Sequence, residues 1–437
     1  MKLSTVFLLA LGAFGESENI SATHFLIPAN QCTAAPSYYE TLERACGKSL
    51  ENLWLDVVVA VDNSKGMTNL KLGDVSDLLY VTNQVHCFQI AASIATIFSK
   101  VRMIGEHYNA RTGENKMSTR VGLVTYNQNA TTVADLNTFN SIDDLESGVF
   151  DALNEVSDTE TSYVATGLNA AETMLKNGAV ERRSHFRKVV IIYASTYKDS
   201  GKLHPVPVAE RLRSNGVKII TVAFGQSGDS SILEGLGKLA SRGSNFTNNG
   251  DGLNGDIQES LLQGKHIFMV TLLWVSANCF CPNDYKQYRE DFDDKDSFRY
   301  GTCLHSVSLP ASRRAADRAC RVKGSDTYLV NEFSQQKHNF VQTLARKELK
   351  ASFKYFIGLQ KRGSSWYWDQ PMNVEPVALG YKNWMPGFPT SSDPTMTAVW
   401  NNGDASQEWW ENVKPSENAN YICEKIACDT DNYCDGN

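Results

Sequence analysis

The stretch from Leu53 to Met67, Leu-Trp-Leu-Asp-Val-Val-Val-Ala-Val-Asp-Asn-Ser-Lys-Gly-Met, constrains the fold more than any other part of the chain. A short, unbroken run of β-branched and apolar residues closed by polar turn formers is the pattern of a strand covered on both faces of a sheet. At its carboxyl end Asp62 and Ser64 stand one residue apart. Open α/β sheets form their ligand crevice at that end of the strands. Oxygen donors placed there suit Mg²⁺ or Ca²⁺; the plainer reading is that both side chains cap the next turn.

From Trp54 to about Gly264, apolar strands alternate with amphipathic helices, which predicts a mostly parallel, doubly wound sheet with helices on both faces. Strands are expected over Trp54 to Val61, Arg120 to Tyr126, Thr132 to Leu136, Lys188 to Ala194, Val217 to Phe224 and briefly near Asn245. Helices are expected over Leu78 to Lys100, Ile142 to Leu153, Ala165 to Asn177, Val208 to Ser214, Ser231 to Ala240 and Gly255 to Leu262. Met103 to Ser118, polar and containing Gly105 and Gly113, reads as a long surface loop. Residues 276–437 then hold seven of the ten cysteines and six of the eight tryptophans, so a second core built on disulfides and aromatic side chains begins there. A chain of 437 residues has room for both.

Residues 1–15 carry Lys2, an apolar run from Leu3 to Phe14 and an Ala13-x-Gly15 pattern before Glu16, the layout of a secretory signal peptide. The longest later apolar run, Ile267 to Val275, is shorter than the ~18 residues a membrane span needs, so a secreted, extracellular product without a membrane span is expected. In an oxidising compartment the cysteines read as disulfides. Cys32 and Cys46 are close enough to staple a loop in the lead-in over residues 16–51, and Cys428 and Cys434 bracket a short acidic tail over residues 427–437, read as a solvated end. Cys87 and Cys279 are left without an assigned partner, and the full connectivity stays open. Asn19, Asn129 and Asn245 each begin an N-x-S/T sequon, which makes them candidate glycosylation sites. A net charge of −7 argues against a nucleic-acid partner.

The Asp62-Asn-Ser64-Lys-Gly66 sequence resembles the first metal-binding loop, D-x-S-x-S, of the von Willebrand factor A domain, with Gly66 at the last serine. The resemblance continues at Ser162-Tyr-Val-Ala-Thr-Gly-Leu168, where Ser162 stands at the family's second-loop threonine. It extends to Val189-Val-Ile-Ile-Tyr-Ala-Ser195, where Ser195 replaces the aspartate of T-D-G, and covers about residues 52–264. What it implies is a metal-dependent adhesion site reduced to Asp62 and Ser64, with Ser162 a conservative exchange and Ser195 a lost carboxylate. Mg²⁺ needs carboxylate anchors, so any Mg²⁺ or Ca²⁺ binding here is expected to be weak.

The second part resembles a C-type lectin-like domain over about residues 279–426, after a linker at 265–278. Cys281-Pro-x-x-Tyr285 and Tyr300-Gly-Thr-Cys303 are similar to the family's amino-terminal hairpin, which implies a Cys281–Cys303 bridge. A helix ending at Cys320, the Phe356-Ile-Gly-Leu359 motif and the closing Tyr421-Ile-Cys423-Glu424 follow in family order, which implies a Cys320–Cys423 bridge. Calcium-dependent sugar binding in this family uses an E-P-N or Q-P-D triplet and a W-N-D triplet. Here these positions hold Phe388-Pro389-Thr390 and Trp410-Glu411-Asn412, a poor oxygen set for a cation that takes six to eight ligands. The family's inner disulfide is absent, so a loosely held long loop is expected. Trp384, Trp400 and Trp409 offer faces for sugar stacking without calcium, against a purely structural use of the same rings.

The fold class is thus α/β followed by α+β: a doubly wound domain and then a disulfide-bonded lectin-like domain. With no G-x-S-x-G, H-E-x-x-H or Walker sequence, an enzyme is not expected. The resemblance, to secreted nematode-type lectin-like proteins with an amino-terminal von Willebrand factor A-like domain, implies recognition of a glycan or glycoprotein, in defence against microbes. An adhesive matrix protein that binds protein partners without sugar or metal is the alternative.

Overall fold

The computed structural model describes residues 43–67, 85–154, 156–198, 203–224, 230–248, 252–262, 278–294, 297–350, 352–403 and 408–434. The expected signal peptide, Asn19, Cys32 and all of the linker but Asn278 lie outside the described residues. No described helix is long and apolar enough to cross a membrane.

Strand β1 (Leu55–Asp62) is buried at every position. It lies inside a six-stranded sheet with β2 (Arg120–Tyr126), β3 (Ala130–Ala134), β4 (Arg187–Ala194), β5 (Lys218–Ala223) and β6 (Asn245–Thr247), in the order β3-β2-β1-β4-β5-β6. Every pairing is parallel except that of β2 with β3. The two-residue period of the strand sends Val57, Val59 and Val61 into one core and Val58 and Ala60 into the other. Helix α1 (Val85–Phe98) covers the first face through Ile90, Ile94 and Phe98; α2 (Ile142–Ala152) joins it there, and α3 (Val164–Asn177) covers the second through Leu168 and Ala171. Helices α4 (Pro205–Ser214), α5 (Ser230–Gly237) and α6 (Leu253–Leu262) complete the two layers. The segment expected to be a plain loop contains a small ribbon, Tyr108–Asn109 against Glu114–Asn115, turned by Gly113 at φ +75°. Glycine takes that left-handed conformation without steric cost.

At the amino end of β1, the buried Asp56 carboxylate accepts from Arg120 Nε at 2.9 Å and Nη2 at 2.7 Å, and from Arg183 Nε at 3.1 Å and Nη2 at 2.8 Å. Carbonyls of Gly178 and Ser118 take further guanidinium protons, so both buried cations are hydrogen-bonded.

The second domain begins with β7 (Cys279–Phe280) and β8 (Lys286–Arg289), then β9 (Arg299–Ser312) and helix α7 (Arg313–Val322). After β10 (Tyr328–Leu329) and α8 (Gln335–Glu348) come β11 (Lys354–Arg362), β12 (Ser365–Trp368), β13 (Val377–Ala378), β14 (Ala398–Asn402), β15 (Trp409–Val413), β16 (Asn418–Ile426) and β17 (Cys428–Asp429). The sheet path is β8-β9-β16-β11-β12-β13, with β10 on β16 and the pair β14-β15 on β11. Its core gathers Trp368, Trp410, Tyr355, Phe340 and Ile422.

Disulfides join Cys281 to Cys303, Cys320 to Cys423 and Cys428 to Cys434. Cys46 does not pair with Cys32: it is bonded to Cys279, 233 residues away, because the lead-in lies against the base of the second domain, where Gly301 N donates to Arg44 O at 2.7 Å. Cys87 is a buried free thiol.

The acidic tail is likewise not a solvated end. Its β17 pairs with β7, and Asp429 is fully buried, accepting from Gly47 N at 2.9 Å. Trp54, at the entry to β1, donates its indole N–H to Asp429 O at 3.0 Å and packs with Phe186, Phe280, Cys428 and Tyr433. The short Cys428–Cys434 loop turns Asp429 inward, where the Gly47, Asp431 and Asn432 amides donate to its carboxylate.

Candidate functional site

Parallel register brings the carboxyl ends of β1, β2 and β4 to one rim, with Asp62 beside Tyr126 and Val61 beside Tyr193. There Asp62, Ser64 and Ser195 meet. Asp62 Oδ1 accepts from Ser64 N at 3.0 Å; Oδ2 accepts from Ser195 N at 3.1 Å and from Ser195 Oγ at 2.6 Å. A β-carbon at Gly66 would collide with the Ser195 hydroxyl and lie 3.4 Å from the Ser64 hydroxyl. The Ser195 side chain therefore fills the space of the missing side chain at 66 and serves the carboxylate that an ion would otherwise neutralise.

Ser162 is buried just before α3, and its hydroxyl, like that of Ser64, has no hydrogen-bond partner among the described residues. Main-chain bonds from Lys65 N to Thr159 O and from Ser157 N to Asn63 O hold the second loop against the first. The set offers one carboxylate, with both oxygens engaged, and two free hydroxyls. This donor chemistry does not fit Mg²⁺, which needs anionic anchors. Among the described residues no group of three or more His, Cys, Asp or Glu is placed to hold an ion. The buried Asp62 charge is felt nearby: burial, with Asp62 adding, pushes the Cys87 thiol up to about 11 and raises the Tyr126 phenol well above its ordinary value.

In the second domain, Pro389 follows a cis peptide bond. Thr390 N donates to Asn412 Oδ1 at 2.8 Å, and Asn412 Nδ2 donates to Thr390 O at 2.9 Å and Met396 O at 3.2 Å. Glu411 accepts from Trp400 Nε1 at 2.9 Å and Asn402 Nδ2 at 2.7 Å, one bond on each oxygen. Each of these oxygens already accepts a hydrogen bond from within the chain, and a set with a single carboxylate is a poor fit to an ion that takes six to eight oxygen ligands.

The long loop expected to be loose is tied down by the same groups, with Trp410 N donating to Asn383 O at 2.8 Å and Met385 N to Trp410 O at 3.0 Å. Trp384 packs on Trp366 with centroids 5.0 Å apart and edge-on to buried Trp410, so its ring belongs to the core. Trp400, Asn402, Trp409 and Glu411 are partly exposed and share one face of the β14-β15 pair, as the register Trp400↔Glu411 and Asn402↔Trp409 requires.

Beneath the loop lies a buried network that sequence reasoning missed. Glu332 accepts from Trp410 Nε1 at 2.7 Å and Tyr355 OH at 2.9 Å and meets His338 Nδ1 at 2.7 Å. Burial pulls the His338 pKa down, and the Glu332 charge and hydrogen bond more than reverse it, so the net shift is upward. Glu332 and His338 bracket a helix start at Ser334, and a charged pair flanking that cap was the available signal. Of the sequons, Asn129 is exposed, whereas the Asn245 side chain bonds to Thr221 Oγ1 and Leu233 O within the sheet.

The family model of the von Willebrand factor type A domain matches residues 56–259, and that of the C-type lectin domain matches residues 310–425. A curated relative, C-type lectin domain-containing protein 160 of Caenorhabditis elegans, is 24% identical over 409 residues, covering 89% of this chain. The chain spans 56% of that relative's length. Among solved structures, proximal thread matrix protein 1 from the mussel byssus aligns at 18% identity and TM-score 0.37, over 48% of this chain and 46% of its own. Human lithostathine aligns at 22% identity and TM-score 0.27, over 33% of this chain and 99% of its own.

Proposed function

We propose that the chain, which joins a von Willebrand factor type A domain to a C-type lectin domain, is a recognition or adhesion protein, secreted, extracellular and non-catalytic, that binds glycan-bearing partners without a divalent cation. The observation that carries this reading is the internal use of Glu411 and Asn412. A cation site needs ligand oxygens facing the ligand, and here those oxygens hold Trp400, Asn402 and the loop at Thr390.

What remains for contact is the partly exposed face with Trp400, Trp409, Asn402 and Glu411, an aromatic and polar surface of the kind that stacks on a sugar ring while hydrogen-bonding its hydroxyls. The apolar leader pattern at residues 1–15 and the four disulfides support an oxidising, extracellular setting.

Glycan and glycoprotein arrays probed with the full chain, in calcium and in chelator, test the reading. Equal binding in both buffers, lost in Trp409→Ala, is expected. Chelator-sensitive binding would show that Glu411 and Asn412 take an ion after all. No glycan signal in either buffer sinks the sugar reading and leaves an adhesive protein with protein partners alone.

A further inference from the structure

At the amino end of the first sheet, opposite the Asp62 rim, a cavity of about 220 Å³ opens between the two domains. One wall is the segment from Ser184 to Lys188 with the turn at Asn215 and Gly216; the other is Phe280 to Asn283 with Cys428 and Cys434. Its lining holds His185, Arg187 and Lys188 and no carboxylate. The half-buried Arg187 differs from the buried guanidinium groups among the described residues. Arg120 and Arg183 share Asp56, and Arg313 is paired with Asp369 at 2.5 Å. Arg187 has no carboxylate partner among the described residues: its guanidinium lies 4.6 Å from the Phe280 ring centroid. Burial, with the Arg299 charge adding, pushes its pKa down to about 10. Gly216, at φ +76°, turns the chain beside the guanidinium, with its β-carbon position 3.7 Å from Arg187 Nη1.

A cation taken out of water beside a second cation is poorly solvated, and an anion entering the cavity would relieve that cost with charge-assisted hydrogen bonds. We propose that this cavity at the domain junction binds a sulfate or phosphate group through the Arg187 guanidinium, with Lys188 adding charge and the Phe280–Asn283 wall closing the far side. The site is separate from the aromatic face of the lectin domain and does not depend on that reading. Arginine suits the role because its planar fork matches oxyanion geometry.

Isothermal titration of the full chain with sodium sulfate and with sodium phosphate, against sodium chloride at matched ionic strength, is the test. One saturable site is expected, weakened at least about tenfold in Arg187→Gln. That variant should melt in chloride no lower than the native chain, because it removes a half-buried charge that has no carboxylate partner among the described residues. Lys188→Gln, on the same wall and partly exposed, is expected to weaken sulfate about threefold at an unchanged melting temperature. A sulfated disaccharide binding more tightly than free sulfate would assign the group to a saccharide; equal affinity would assign a free anion, and either supports the site. Absence of saturable binding to the native chain, or affinity unchanged in both variants, overturns the proposal.

Discussion

Ser195 and Gly66 are coupled at the rim where β1 ends. The serine hydroxyl gives Asp62 the donor that an ion's charge would otherwise replace, and it occupies the volume that a side chain at position 66 would need. Gly66→Ser alone is therefore overpacked and is expected to lose about 1 to 3 kcal/mol in urea unfolding. The same change in a Ser195→Gly background should cost measurably less, since the obstructing hydroxyl is gone, and a double-mutant cycle reads that coupling. Millimolar magnesium should leave the melting temperature of the native chain unchanged; a rise that disappears in Asp62→Ala would restore a metal site. Asp56 is a second residue of this kind. It lies at the start of β1, whose only other charged residue is Asp62 at the far end, and two buried guanidinium groups converge on it. Asp56→Ala strands both, with an expected loss of about 3 to 5 kcal/mol and no compensation from salt.

Helix α8 and the strand pair β14-β15 are joined under the long loop by Glu332 and His338, and this arrangement gives the lectin domain a pH dependence. Glu408 on the loop side adds to the charge felt by His338, while the Asn383 amide sits 3.0 Å from Nε2 and Asn401 Nδ2 lies 3.4 Å from Nδ1. The folded pKa of His338 is raised above its ordinary 6.5. Its contribution to stability is then fully present below pH 6.5 and is lost as pH rises through the folded pKa. Denaturant unfolding at a series of pH values should show stability falling as pH rises above about 6.5, and His338→Gln should flatten that slope. A native profile that rises with pH would contradict the pairing.

These elements also show what could be read from the residues. The central strands of the first sheet were legible because they are apolar runs, and Arg120 to Tyr126 came out at its observed bounds, whereas the exposed, threonine-rich edge strand lies at Ala130–Ala134 rather than at Thr132 to Leu136. Asp62, Ser64 and Ser195 were legible as residues of one rim, but the sequence does not show how they bond to one another. The bond from Ser195 to Asp62, and those from Asn412 and Glu411 to the loop and to Trp400, exist only once distant segments are side by side. Cysteine pairing was illegible at Cys46 for the same reason, since proximity along the chain favoured Cys32 while the fold places Cys279 at its side.

Across the whole molecule, the two domains are fastened at one place by several independent means. Cys46–Cys279 spans 233 residues; a bridge closing so long a loop stabilises by about 5 kcal/mol in the chain-entropy model. Trp54 N donates to Asn278 Oδ1 at 2.9 Å, and its indole reaches Asp429 O while the ring is enclosed by Phe186, Phe280 and Tyr433. The lead-in adds Glu43, whose carboxyl burial pushes up to about 7 and which stands 3.2 Å from Lys337 in the lectin core. Interfaces between domains of one chain are ordinarily polar and mobile; this one has the aromatic content and disulfide of a core. The native chain is accordingly expected to unfold in a single calorimetric transition. Cys46→Ser with Trp54→Ala removes the bridge and the central ring together and should split that transition into two, because each sheet keeps its own core once the fastening is gone. Two transitions already present in the native chain would mean that the junction is a contact between independent domains rather than the structural centre of the molecule.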